Sequence, residues 1–181
     1  MNTLLSKLFL ACLLLPAGAL ADEKLWALLE KGGTVVLIRH AVTTPGAGDP
    51  PGFRLDDCAT QRNLTDAGRR HSRRIGAQWR ARGIPVERVL SSPWCRCIET
   101  ARLAFGKAEI SEPLSNLFGR YENSERQVRA LRELVAAKAK GNVVMVTHGS
   151  TIAALTGINP ATGEMVILRE GTLAGRLSVP E

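Results

Sequence analysis

Thr34-Val35-Val36-Leu37-Ile38-Arg39-His40 is a run of β-branched and aliphatic residues that ends on an arginine and a histidine. A second such run, Asn142-Val143-Val144-Met145-Val146-Thr147-His148-Gly149, lies about a hundred residues further on. Short, continuously apolar runs of this kind read as parallel strands buried on both faces. Each delivers its histidine to the C-terminal edge of the sheet, where open α/β sheets bind ligands. The chain has only 3 histidines, so two of them placed this way mark a site, and the neighbouring arginine suits it to phosphate.

The pattern around these runs alternates between the two periods. Residues 22–30 read as a short helix with Leu25, Trp26, Leu28 and Leu29 apolar, stopped by Gly32-Gly33. A loop rich in Gly, Pro and Asp occupies 41–63, and loops of that length in compact domains are usually functional or mobile. Thr65 reads as an N-cap for a helix that runs to Arg82 and stops at Gly83. Ile75, Ala77 and Trp79 are its expected buried side, and His71 is expected on its surface. A strand is expected at 88–91, and Ser92-Pro93 opens a helix through Ala104, proline being suited to a first helical turn. A short strand near 109–111, a helix over 124–138, a strand at 142–147, a helix over 150–155 and a two-stranded finish at 164–169 and 173–179 complete the chain. Strands alternating with helices predict a three-layer α/β/α fold built on a mostly parallel, doubly wound sheet.

The N-terminus reads differently. Lys7 precedes an apolar run from Leu8 to Leu15, broken by Pro16 and Gly18, and Ala19-Leu20-Ala21 has the form of a cleavage site. Residues 1–21 are expected to be a signal peptide, too short for a comfortable membrane span. Residues 22–181 then form one domain of ordinary size, placed in the periplasm or outside the cell, with no stable membrane span after cleavage. The formal charge is +7, and loss of Lys7 with the leader lowers it to +6. Much of the excess sits in Arg69, Arg70, Arg73, Arg74, Arg80 and Arg82, a solvated helix face first and a contact for anionic substrates or membrane surfaces second. No aromatic stacking platform accompanies these arginines, and nucleic acid is not an expected partner.

Cys58, Cys95 and Cys97 remain after the leader is removed. An oxidising compartment favours a disulfide. Cys95 and Cys97 are too close along a helix to pair easily, so a bridge from Cys58 to one of them is expected, with the other thiol free.

Three segments could carry chemistry. Arg39-His40 offers an imidazole that can attack phosphorus if one ring nitrogen is neutral and the other donates to a fixed acceptor. Beside it the arginine provides a planar fork for phosphate oxygens. Ser91-Ser92-Pro93-Trp94-Cys95-Arg96 puts Arg96 in the first turn of a helix, where free N–H groups and the helix dipole also favour an anion. Thr147-His148-Gly149 adds a second imidazole, with a glycine that admits close approach. Each piece alone is a weak signal.

In order, however, they resemble the histidine phosphatase superfamily, the phosphoglycerate mutase-like group. The elements that carry the resemblance are Val36-Leu37-Ile38-Arg39-His40-Ala41, Asn63-Leu64-Thr65-Asp66-Ala67-Gly68-Arg69, Leu90-Ser91-Ser92-Pro93 with Arg96 and Thr100-Ala101, and Val146-Thr147-His148-Gly149. The resemblance implies a phosphohistidine intermediate with His40 as nucleophile, and a phosphate pocket completed by Arg39, Arg96 and His148. It also places Thr43 near the phosphate. No metal or other cofactor is called for, because arginines supply the positive charge.

Two departures stand out. Ala41 replaces the usual glycine after the histidine. Asn116, in Leu114-Ser115-Asn116-Leu117, stands where many members carry a glutamate that protonates the leaving oxygen, and an amide cannot act as a general acid. Asp56, Asp57, Glu122 and Glu125 are the candidate substitutes. The expected activity is metal-independent hydrolysis of phosphate monoesters by an exported protein, its substrate a phosphorylated small molecule, an envelope glycolipid or a phosphoprotein. The alternative is a catalytically weak or inactive phospho-ligand binder, for which Asn116 is the motive.

Overall fold

The computed structural model describes residues 17–119 and 124–180, so the leader reading for residues 1–16 and the carboxylate of Glu122 lie outside the described residues. In chain order the elements are α1 (Ala17–Lys31), β1 (Val35–Arg39), α2 (Asp66–Ala81), β2 (Val86–Ser91), α3 (Cys95–Phe105), β3 (Glu109–Ile110), α4 (Ser124–Ala136), β4 (Asn142–Thr147), α5 (Gly149–Thr156), β5 (Met165–Arg169) and β6 (Thr172–Leu177). The 6 strands form one sheet in the order β3-β2-β4-β1-β5-β6. The first four are mutually parallel, while β5 pairs antiparallel with β1 and β6 antiparallel with β5.

The strands alternate their side chains between two cores. Val36, Ile38, Val144, Val146, Met165 and Ile167 face one layer, which α1, α2 and α3 cover with Leu29, Ile75, Trp79 and Ala101. Val35, Leu37, Val143, Met145, Val166 and Leu168 face the other, covered by α4 and α5 through Leu131, Val135 and Ile152. β1 and β4 are therefore buried on both sides, which is why they read as unbroken apolar runs. The fold is the three-layer α/β/α arrangement expected. Among the described residues, no helix is long and apolar enough to cross a membrane.

Several local readings change. α1 begins at Ala17, not Asp22, so the helix runs across the expected cleavage boundary. On α2 the buried stripe is Gly68, His71, Ser72, Ile75, Gly76 and Trp79. His71 is thus in the interior, not on the surface: it sits one helical turn before Ile75, and its Nε2 meets the Val179 carbonyl at 2.8 Å. Ala77 is exposed, and Gly76 takes the buried place instead. A Cβ at Gly76 would come within 2.0 Å of the Ala104 carbonyl oxygen, so a bare backbone is what lets α2 lie against α3. The arginines of α2 occupy the outer face, where Arg69 pairs with Glu99 and Asp66, and Arg82, the residue that caps the helix, pairs with Glu23 and Glu30.

Candidate active site

Strand register builds the site. Arg39 is level with Thr147, and Ser91 with Val146, so the carboxyl ends of β1, β4 and β2 finish side by side. The chain then leaves each strand with its next residue tied to β4: the His40 N–H donates to the Thr147 carbonyl at 2.9 Å, and the Ser92 N–H to the Val146 carbonyl at 2.9 Å. His40 and His148 are thereby held with ring centroids 5.4 Å apart in an edge-on arrangement. Both rings line a cavity of about 460 Å³, with Arg39, Arg62 and Arg96 beside them.

His40 Nδ1 lies 2.9 Å from the carbonyl oxygen of Ala41. A carbonyl only accepts, so Nδ1 carries the proton and Nε2 keeps its lone pair. Burial, together with the charges of Arg96, Arg39 and Arg62, pushes the His40 pKa down to about 3, against the smaller opposing effect of the bond to Ala41. The ring is therefore neutral across the physiological range, in the tautomer a nucleophile requires. His148 is also held well below its ordinary pKa, first by burial and then by the neighbouring ring and the same arginines. Its Nε2 is 2.8 Å from Ser92 Oγ and 3.5 Å from Cys97 Sγ, and Trp94 stacks on it edge-on at 5.3 Å. Burial raises the Cys97 thiol to about 12, so that group stays protonated.

Arg96 enters from the first turn of α3 and is 1% exposed. Its guanidinium forks onto Asp49, Nη1 to Oδ1 at 2.6 Å and Nη2 to Oδ2 at 3.2 Å. Asp49 also accepts from Trp94 Nε1 at 3.0 Å and from the Arg62 N–H at 3.0 Å. Burial would raise the Asp49 carboxyl, but these bonds outweigh it and hold the group ionised. Arg39 donates to the Pro160 carbonyl at 2.8 Å, and Arg62 to the Gly46 carbonyl. Among the described residues, three guanidinium groups thus converge on one cavity and one of them, Arg96, is paired with a carboxylate, a field suited to an anion.

The motifs that flank the site have local reasons. Ala41 is fully buried, and its N–H donates to Thr100 Oγ1 at 3.2 Å, which in turn donates to the Arg96 carbonyl at 2.8 Å. An alanine fits there without disturbing the strand end. A Cβ at Gly149 would sit 3.3 Å from Arg39 Nε and 3.1 Å from Asn159 Oδ1, so the glycine admits the arginine rather than a ligand directly. Cys58 is bridged to Cys95 across 37 residues, and Cys97 is the buried free thiol. Along with Gln61, which accepts from the Cys95 N–H at 3.0 Å, this bridge docks the 41–63 loop on the start of α3.

Four of the expected site residues, Arg39, His40, Arg96 and His148, meet at the cavity, and Asn116 lines it too. Asn116 Oδ1 accepts from Ser150 Oγ at 2.9 Å and from the Phe118 N–H at 3.1 Å. Thr43 is not among the residues that line the cavity, and its backbone is bridged to Leu64. The candidate proton donors that can be placed also stand apart. Asp56 is exposed and paired with Arg54, Asp57 accepts from the Ala59 N–H at 3.0 Å, and Glu125 is an exposed residue of α4 facing Arg129. Among the described residues no carboxylate lines the cavity. Sequence reading passed over Arg62 and Asp49. Arg62 had a signal, since it immediately precedes the Asn63-Leu64-Thr65 motif; Asp49, between glycine and proline in a long loop, had none.

The histidine phosphatase superfamily (branch 1) model matches residues 35–123. The chain belongs to the histidine phosphatase superfamily. The matched span contains Arg39, His40, Arg62 and Arg96; His148 lies beyond it and is brought in by the fold. Among solved structures, this superfamily member is similar to the protein histidine phosphatase SixA complexed with tungstate, at 21% identity over 80% of this chain and 96% of that one, TM-score 0.51. It is also similar to SixA of Agrobacterium tumefaciens, at 21% identity, 81% and 99% coverage and TM-score 0.54. A phosphoserine phosphatase of Entamoeba histolytica with 3-phosphoglyceric acid matches at 14% identity, 81% and 97% coverage and TM-score 0.60. At these identities the likeness is one of fold. No curated protein sequence matches the chain.

Proposed function

We propose that this protein is an exported phosphatase that hydrolyses phosphate monoesters through a phosphohistidine on His40. The observation that carries the reading is the His40 ring itself, neutral, with Nδ1–H on the Ala41 carbonyl, in a cavity walled by three guanidinium groups. Superfamily membership and the likeness in fold to phosphatases support the activity in its general form. In the proposed cycle His40 Nε2 forms a bond to phosphorus as the phosphorus–oxygen bond breaks, and the leaving oxygen departs with the electron pair. Arg39, Arg62 and Arg96 balance the charge on the phosphoryl oxygens, with His148 beside them. Water then attacks phosphorus, and as the new phosphorus–oxygen bond forms the phosphorus–nitrogen bond breaks, its electron pair returning to Nε2, so that phosphate is released and the neutral ring restored. The cationic work is done by arginines, so the reaction is proposed to run without a metal ion. The leader-like sequence of residues 1–21 and the Cys58–Cys95 bridge support a periplasmic or secreted location.

The test is turnover of p-nitrophenyl phosphate by the purified mature chain with chelator present. Loss of turnover in His40→Ala, with the fold retained by circular dichroism, supports the reading; unchanged turnover sinks it. One observation favours a second reading, a phosphate binder with little turnover: the cavity lining holds Asn116 and no described carboxylate. That reading predicts phosphate binding by calorimetry with no acid-trapped phosphate on His40.

A further inference from the structure

The described residues that line the active-site cavity fall into two unlike sets. One carries the three guanidinium groups and the two imidazoles. The other includes Gly48, Asn116, Phe118, Ser150, Ala153 and Asn159, none of which bears a formal charge. Phe118 is a large apolar side chain left 55% exposed. Its ring packs beside Gly48, where a Cβ would lie 3.7 Å from Phe118 Cε1. Its backbone N–H is held by Asn116 Oδ1, which fixes the ring's chain position relative to the amide that replaces the usual acid. An exposed aromatic ring in the lining of a polar cavity is a platform for a flat or apolar group.

The described lining also supplies no acid to protonate a departing oxygen. Where no acid assists, a leaving group carries its own charge away, which a phenolate, with a conjugate acid near pKa ~10, does far better than an alkoxide. The aromatic platform and the lack of an acid among the described lining residues point to the same chemistry. Resting on the phosphatase reading above, we infer that the substrate is an aryl-type phosphate monoester, whose planar ring stacks on Phe118 while its phosphate lies among the arginines.

Two measurements on the purified mature chain test this. The first is calorimetric binding of benzylphosphonate and methylphosphonate, which share the phosphate-like head, cannot turn over, and differ in the ring. The wild type is expected to bind the benzyl compound about fivefold more tightly. Phe118→Ala is expected to abolish that preference, and Phe118→Tyr to restore it. Equal affinities in the wild type, no binding of either compound, or a Phe118→Ala variant that keeps the preference overturns the inference. The second is kcat/KM for phenyl phosphate against O-phosphoserine, expected to favour the aryl ester at least 100-fold in the wild type; comparable values also overturn it. A wild type that shows the ring preference in binding but turns over neither ester, with no label on His40, overturns the phosphatase reading instead.

Discussion

Asp49 holds Arg96 by both carboxylate oxygens, at 2.6 and 3.2 Å, with both side chains closed to solvent. The pair joins the long 41–63 loop to the helix start that carries the cavity arginine. Removing one partner of such a pair leaves a buried charge uncompensated, at a cost of about 3–5 kcal/mol. Asp49→Ala is therefore expected to unfold at markedly lower temperature than the wild type and to lose most of its turnover. Inorganic phosphate would supply the missing negative charge, so it should raise the melting temperature of the variant more than that of the wild type. Thermal unfolding with and without phosphate checks this, and a variant as stable as the wild type would contradict it.

The Cys58–Cys95 bridge acts on the same loop. It closes 37 residues of sequence, for which a stabilisation of about 2–4 kcal/mol is typical. The bridged segment includes Arg62 and lies against the cavity wall. Cys58→Ser, or reduction of the wild type, is expected to lower both the melting temperature and kcat/KM. If reductant lowers stability and leaves kcat/KM untouched, the bridge serves the fold and not the site.

Acid should weaken the fold through His40. Its pKa is about 3 in the folded protein against an ordinary 6.5. Above pH 6.5 the ring is neutral in both states and contributes nothing. Between about 6.5 and about 3 the unfolded chain takes up a proton that the native site refuses, so stability falls as pH falls, by up to about 1.4 kcal/mol per pH unit. His148 works in the same direction. Urea titrations at pH 7, 5.5 and 4.5 should show this slope, and His40→Asn should flatten it by close to one proton. A slope identical in the variant would show that His40 does not titrate this way. In the same range the free protein keeps the His40 ring neutral, so kcat/KM should carry no acid limb from His40 near pH 6.

The strands were legible because burial on both faces leaves an uninterrupted apolar run, and Arg39, His40 and His148 came with them. Arg96 followed from the strand-end helix opened by Ser92-Pro93. His71 was misjudged although its periodicity was visible: it falls on the stripe of Ile75 and Trp79, and its polarity masked that. Ala77 erred the other way, because the helices approach closely enough to require Gly76 in its place. Asp49 and Phe118 were beyond reach for another reason. They belong to irregular segments, where no repeat period tells which side chain turns inward, and only the folded loop places them at the cavity.

The amide at Asn116 invites a direct substitution. It lines the cavity and accepts from Ser150 and from the Phe118 backbone, so a glutamate there would restore a carboxyl on the leaving-group side. General-acid assistance is worth on the order of 10² to 10⁴ in rate for a poor leaving group and little for a good one. Asn116→Glu is therefore expected to raise kcat for an alkyl phosphate at least tenfold while p-nitrophenyl phosphate changes less than threefold. A bell-shaped pH profile for the alkyl ester, absent from the wild type, would identify the new acid. If both substrates slow equally, the amide is needed for the shape of the cavity, and its two hydrogen bonds matter more than the proton it cannot give.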